Sequence, residues 1–197
     1  ATVALSSLSA SGGFEDGWVA MDFALNTYNF TGQATNFILV TDEDRDVLPA
    51  YNTLTYNSVL TGLTSDKVVL NAIVNANLRD SSNAAALGIS SDGSAYLADG
   101  SGGFTTSTGG NCASGFGTTC ANYVDMALAT SGAAWDLNQL RAGGLLADSF
   151  TAAFLDIKVE EITNPVVPLP AAVWMLGAGI LGYLGFGRAR REAPLAA

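Results

Sequence analysis

The chain has 197 residues, 18 acidic side chains against eight basic ones, and a formal net charge of −10 at pH 7. Nucleic acid is therefore a poor partner, because phosphate binding draws on a basic surface. Histidine is absent and only two cysteines are present, which excludes Ser-His-Asp and Cys-His nucleophile systems and the usual zinc sites.

Residues 1–13 are small and polar around Val3, Leu5 and Leu8, and read as a first strand or a loosely held start. Residues 17–25 place Val19, Met21, Phe23 and Leu25 at period two, the pattern of a half-buried strand. Residues 36–41 form a short apolar run that ends in the acidic turn Asp42-Glu43-Asp44-Arg45-Asp46. Residues 51–60 set Leu54, Tyr56 and Leu60 on one parity. Between residues 67 and 79, Val68, Leu70, Ala72, Val74, Ala76 and Leu78 alternate with a more polar set, which predicts one long strand with its first set in the core and most of the second in water.

Ser91-Asp92-Gly93 lies between apolar runs at residues 84–90 and 94–97, a hairpin signal. Residues 100–117 are rich in Gly, Ser and Thr and read as a long exposed loop. Its glycines neither lead into a helix nor carry a lysine, so no phosphate loop is expected. Residues 122–130 alternate with Val124, Met126 and Leu128 on one side. Trp135 to Leu140 reads as a helical turn ended by Gly143-Gly144. In the last strand expected, residues 150–162, Leu155, Ile157 and Val159 oppose Asp156, Lys158 and Glu160. Eight or nine short strands with almost no amphipathic helix predict a mainly β domain, an antiparallel β-sandwich. Trp135, Leu140, Gly143-Gly144 and residues 154–160 weakly resemble the closing strands of jelly-roll domains in bacterial and phage surface proteins, which makes a jelly roll the expected topology.

The C-terminal stretch is the most specific part of the sequence. Residues 171–187 carry no charged side chain and as a helix would span roughly 26 Å at 1.5 Å per residue, enough for a thin bilayer. Arg188, Arg190 and Arg191 follow, and cationic flanks stay cytoplasmic, so the preceding domain is expected outside. Ala178, Gly179, Gly182 and Gly185 leave one helix face nearly bare, suited to a helix partner. The predicted organisation is an exported domain at 1–163, a Pro-rich linker at 164–170, a transmembrane helix at 171–187 and a basic cytoplasmic tail at 188–197.

Val167, Pro168, Leu169 and Pro170, then the Gly-rich apolar run and the arginines, resemble the PEP-CTERM sorting signal of Gram-negative bacteria. Leu169 stands where that family has Glu. The resemblance implies an exosortase-like processing enzyme in the inner membrane, and either anchoring there with an outer domain or display at the cell surface after processing. An exported chain needs a leader, so the start at Ala1 reads as what its removal leaves. In an oxidising compartment Cys112 and Cys120 are expected to close a disulfide.

Two polar or aromatic sets remain. Asp42, Asp44 and Asp46 have the spacing that opens a calcium loop, although Val47 replaces its Gly and Thr53 its bidentate Glu; a solvated acidic turn neutralised by Arg45 is the leading reading, calcium the alternative. Trp18, Tyr28, Tyr51 and Tyr56 either fill the core or form a sugar-stacking surface, and strand spacing favours the core. Paired carboxylates are the catalytic route left open, yet no pair is singled out, so no enzyme is expected. The expected function is a non-catalytic exported surface or extracellular-matrix structural protein associated with exopolysaccharide. The alternatives are an accessory subunit of a membrane complex that retains its helix beside a membrane-protein partner, and a carbohydrate-binding domain.

Overall fold

The computed structural model describes residues 15–30, 35–47 and 49–163. By its contacts the chain divides into two units, Ala1–Val166 and Val167–Ala197, and every described residue belongs to the first. The strand expected within residues 1–13, the sorting motif Val167 to Pro170, the membrane helix at 171–187, its face at Ala178, Gly179, Gly182 and Gly185, and the arginines Arg188, Arg190 and Arg191 lie outside the described residues. Among the described residues no helix is long and apolar enough to cross a membrane.

The elements are α1 (Gly17–Thr27), β1 (Thr35–Thr41), a 3-10 turn (Pro49–Tyr51), α2 (Tyr56–Ser65), β2 (Val68–Val74), β3 (Ala76–Arg79), β4 (Gly88–Ser90), β5 (Ser94–Ala98), β6 (Phe104–Thr108), β7 (Asn111–Gly115), a π-helical turn (Cys120–Val124), α3 (Asp125–Ala129), β8 (Ala133–Asp136), α4 (Leu137–Arg141) and α5 (Gly144–Thr163). A six-stranded sheet runs β1-β2-β8-β4-β5-β6, and β3 pairs with β7 apart from it. β1, β2 and β8 are parallel, whereas β8-β4, β4-β5 and β5-β6 are antiparallel. The expected mainly β sandwich, jelly roll included, is thus overturned: the domain is a mixed α/β fold with helices on both sheet faces.

The physical reason is visible element by element. In α1 the buried Trp18 and Met21, with Leu25 packed beside them, fall at i, i+3 and i+7, while Phe23 is left outside. Period two at Val19, Met21, Phe23 and Leu25 is coincidental, and the Asp16 carboxylate fixes the helix start by accepting from the Trp18 amide at 3.0 Å. The shared parity of Leu54, Tyr56 and Leu60 does not mark a strand: α2 starts at Tyr56, because Thr55 and Ser58 form a reciprocal capping box and Val59 and Leu63 share one buried face. Residues 122–130 coil into the π-helical turn and α3, which bury Tyr123, Val124, Met126 and Ala127.

Residues 150–162 belong to α5, not to a strand. Phe150, Ala153, Phe154 and Ile157 give its inner stripe, whereas Leu155 and Val159 of the apparent alternation are exposed. The long strand expected over 67–79 breaks at Asn75 into β2 and β3, and β2 is buried on both faces. That is how a parallel strand between two helical layers behaves. Val68, Leu70, Ala72 and Val74 meet α1, α2 and α3, and Ile73 meets the cluster of Trp135, Tyr96, Phe150 and Ala153 under α5. The loop expected over 100–117 contains β6 and β7. The hairpin expected at Asp92-Gly93 is present between β4 and β5, and Gly93 adopts the positive φ of 86° that its turn requires.

Candidate functional site

In open sheets with parallel strands, loops beyond the carboxyl ends of the strands form the natural recognition face. Here that end is polar. At the close of β1, Thr41 donates its hydroxyl to Glu15 at 2.6 Å and accepts from the Glu43 amide at 3.2 Å. Glu15 donates its amide to the Asp46 carboxylate at 3.3 Å, and Asp46 returns its own amide to the Glu15 carbonyl at 2.9 Å. Asp16 then couples the start of α1 to the loop after β1: Arg45 Nε reaches its two oxygens at 3.0 and 3.2 Å.

That ion pair is inside the protein, with side-chain exposures of 8% for Arg45 and 3% for Asp16. The guanidinium also lies 3.9 Å from the Trp18 ring centroid, a cation-π contact that suits a weakly hydrated planar cation. Arg45 therefore neutralises Asp16, a partner outside the acidic turn itself.

Each of the three candidate calcium ligands has a separate partner. Asp42 pairs with Arg141 at 2.7 Å, and that guanidinium holds its carboxyl below the ordinary aspartate range. Asp44 accepts from the Thr118 amide at 3.0 Å and hydroxyl at 3.2 Å. Asp46 faces Glu15. Among the described residues no group of three or more acidic or sulfur side chains is arranged to hold a metal ion.

The Cys112–Cys120 disulfide is formed, with Cα atoms 6.0 Å apart. It links β7 to the π-helical turn, and the intervening Thr118 is the residue bound by Asp44, so the bridge also steadies the acidic loop. On the far side Asp136 ends β8 and caps α4 by accepting from the Asn138 amide at 2.9 Å and Gln139 Nε2 at 3.2 Å. Burial pushes its carboxyl above the usual range, with those hydrogen bonds pulling the other way. Asn138 in turn donates to Asn75 at 3.0 Å.

The aromatic set does not assemble as a platform. Trp18 is buried edge-on to Tyr56, with centroids 6.2 Å apart, whereas Tyr28 is exposed beside Phe30; the side chain of Tyr51 lies outside the described residues. A separate depression of about 200 Å³ on the α5 side is lined by Ser90, Asp92, Tyr96, Ser131, Ile157, Glu160 and Glu161. Sequence reasoning missed Glu15, Asp16, Thr118, Asp136 and Arg141. The available signal was the apolar run ending in Thr41-Asp42, which marks the carboxyl end of a buried parallel strand.

The fold and this strand-end geometry define an α/β domain with a mixed sheet and an acidic cluster at the carboxyl ends of its parallel strands. No family model, curated protein or solved structure matches the chain.

Proposed function

We propose that the chain is a non-catalytic exported surface or matrix protein, whose α/β domain is displayed through a PEP-CTERM-like tail at Val167 to Pro170 and Arg188 to Arg191. The observation that carries the non-catalytic part is the use made of the carboxylates at the strand ends. Asp16 caps α1 and neutralises Arg45, Asp42 takes Arg141, Asp44 takes Thr118, and Asp136 caps α4. These groups position loops, and no carboxylate among them is paired with a second acid for proton transfer. The disulfide supports residence in an oxidising compartment.

Intact mass of the protein from its own cells, combined with fractionation, tests the proposal. A C-terminus near Pro168 to Pro170 on surface or matrix material is the expected outcome. A chain ending at Ala197 and recovered only with the inner membrane would overturn surface display and favour the accessory-subunit reading.

A second reading, carbohydrate binding, is favoured by the depression around Tyr96, which Ser90, Asp92, Ser131 and Glu160 also line and where the Ser90 and Tyr96 hydroxyls share a hydrogen bond. Affinity electrophoresis in the producing organism's exopolysaccharide tests it: retardation that Glu160→Gln and Asp92→Asn abolish supports this reading, and unretarded migration removes it.

A further inference from the structure

β1 is an edge strand. Among the described residues it pairs with β2 alone. The Thr35 amide donates to the Lys67 carbonyl on the β2 side, and successive residues of a strand alternate sides, so the N–H and C=O groups of Asn36, Ile38 and Val40 point outward. Sheets normally blunt such edges with lysine, proline, bulges or short length. The seven residues Thr35–Thr41 have none of these devices.

Both flanks of the edge are apolar. Ile38 and Val40 are 50% and 60% exposed on the α5 side. On the α1 side Phe37 and Leu39 border an open trough of about 280 Å³ with Ala20, Met21 and Ala24. Outward backbone groups between two apolar flanks fit a further β-strand.

We propose that this edge binds a second copy of the same chain, with the two β1 strands antiparallel about a two-fold axis at Ile38. In that register Ile38 faces the partner's Ile38, Phe37 faces the partner's Leu39, and Asn36 faces the partner's Val40. The outward N–H and C=O groups of Asn36, Ile38 and Val40 are then all satisfied across the interface, because the axis passes through an outward-pointing residue. Apolar side chains meet on both faces at the centre of the pair, where cross-strand contacts contribute most.

Charge selects this orientation. The carboxyl end of β1 carries Asp42, Glu43, Asp44, Asp46 and Glu15, while its amino end is flanked by exposed Asp66 and Lys67. A parallel arrangement would bring two acidic ends together. The antiparallel one sets each acidic end across from the partner's amino end, where Asp66 and Lys67 cancel, and keeps the two acidic ends apart at opposite ends of a continuous sheet.

The test uses the full chain. Sedimentation velocity over a concentration series should show a dimer, and Val40→Lys should weaken association at least tenfold while near-ultraviolet dichroism stays unchanged. Both native cysteines are held in the disulfide, so Ile38→Cys adds a single reactive thiol at the axis. A short bismaleimide should convert Ile38→Cys to covalent dimer. Val40→Cys should not react with itself, since its mate would lie roughly 14 Å away along the strand, but should cross-link to Asn36→Cys. A monomer at every concentration, a dimer indifferent to Val40→Lys, or equal self-linking of Val40→Cys and Ile38→Cys would each overturn the proposal and leave the edge to a strand of different origin.

Discussion

Asn71 is fully buried at the centre of β2, where an apolar residue would be expected. Its amide oxygen accepts from the Ala133 amide at 3.2 Å, and its nitrogen donates to Glu161 at 3.0 Å and to Asn36 at 3.4 Å. One side chain thus holds the start of β8, the end of α5 and β1 in register. Glu161 is also bound by the buried Lys158 ammonium, whose pKa burial lowers and Glu161 partly restores. Asn71→Ala leaves the Ala133 donor without a partner, and urea unfolding should show a loss of about 2 kcal/mol. Asn71→Asp places a second carboxylate beside Glu161 and should destabilise the domain more at pH 8 than at pH 4. Tyr123 gives a cleaner pH signature. Burial pushes its hydroxyl up to about 12, although the Gly17 amide that donates to it at 3.0 Å acts in the opposite direction. The folded state therefore retains this proton while the unfolded chain loses it near pH 10, so stability falls as pH rises from about 10 towards 12. Tyr123→Phe should lower stability at neutral pH through the lost hydrogen bond, yet flatten the alkaline decline; chemical denaturation at pH 8 and pH 11 measures both effects.

At the scale of elements, the β7 to π-helical turn bridge has a local role. With a sequence separation of 8 between Cys112 and Cys120, the chain-entropy model assigns it about 2–3 kcal/mol. Cys112→Ser with Cys120→Ser should lose about that much, and hydrogen exchange should rise first in the β3-β7 pair and at Thr118, before the six-stranded sheet opens. The aromatic cluster under α5 behaves differently, because Trp135 stacks on Tyr96 at 5.6 Å and meets Phe150 and Phe154 edge-on. Gly88 runs so close beneath this indole that an added Cβ would overlap its ring. Gly88→Ala should therefore cost about 1–3 kcal/mol as the ring is displaced, read as loss of near-ultraviolet dichroism together with a lower melting temperature. These elements also show what the sequence disclosed. The Asp92-Gly93 hairpin, the disulfide partners and the apolar runs of β1 and β2 were legible, because turn chemistry, thiol pairing and apolar runs are local. α1, α2, α3 and α5 were not, since Val19/Met21/Phe23/Leu25 and Leu155/Ile157/Val159 satisfy period two while Trp18/Met21/Leu25 and Phe150/Ala153/Phe154/Ile157 meet the core. Which of two overlapping periods is buried depends on the sheet beneath, and that sheet is assembled from distant strands. The site was legible only in Asp42, Asp44, Arg45 and Asp46; Asp136 joins that end through the parallel pairing of β8 with β2, and Glu15 and Arg141 through hydrogen bonds to Thr41 and Asp42, which leaves no short-range spacing to read.

Across the whole molecule, charge is the main unbalanced quantity. The net formal charge of −10 is the excess of 18 acidic residues over eight basic ones, and the carboxyl ends of the parallel strands gather Glu15, Asp16, Asp42, Glu43, Asp44 and Asp46 against Arg45 and Arg141. Arg45 is committed to Asp16, so Glu43, Asp44 and Asp46 repel one another with little compensation beyond hydrogen bonds. Screening should relieve this: raising sodium chloride from about 10 to 150 mM shortens the Debye length from about 30 to 8 Å, and the melting temperature of the full chain should rise. Screening and site binding can be separated at matched ionic strength. At fixed ionic strength a bound calcium ion would add stabilisation that grows with the logarithm of its concentration above the Kd, whereas screening follows ionic strength and ion valence and does not distinguish one divalent cation from another. The geometry predicts the second behaviour, because Asp42 is turned to Arg141, Asp44 to Thr118 and Asp46 to Glu15, and gathering them on one ion would break three separate ties. Calcium and magnesium chloride should therefore raise the melting temperature alike, and Asp44→Asn should leave that rise nearly unchanged. A calcium-specific increment lost in Asp44→Asn would show instead that the loop rearranges around the ion, with Thr118 and the disulfide loop released as it binds.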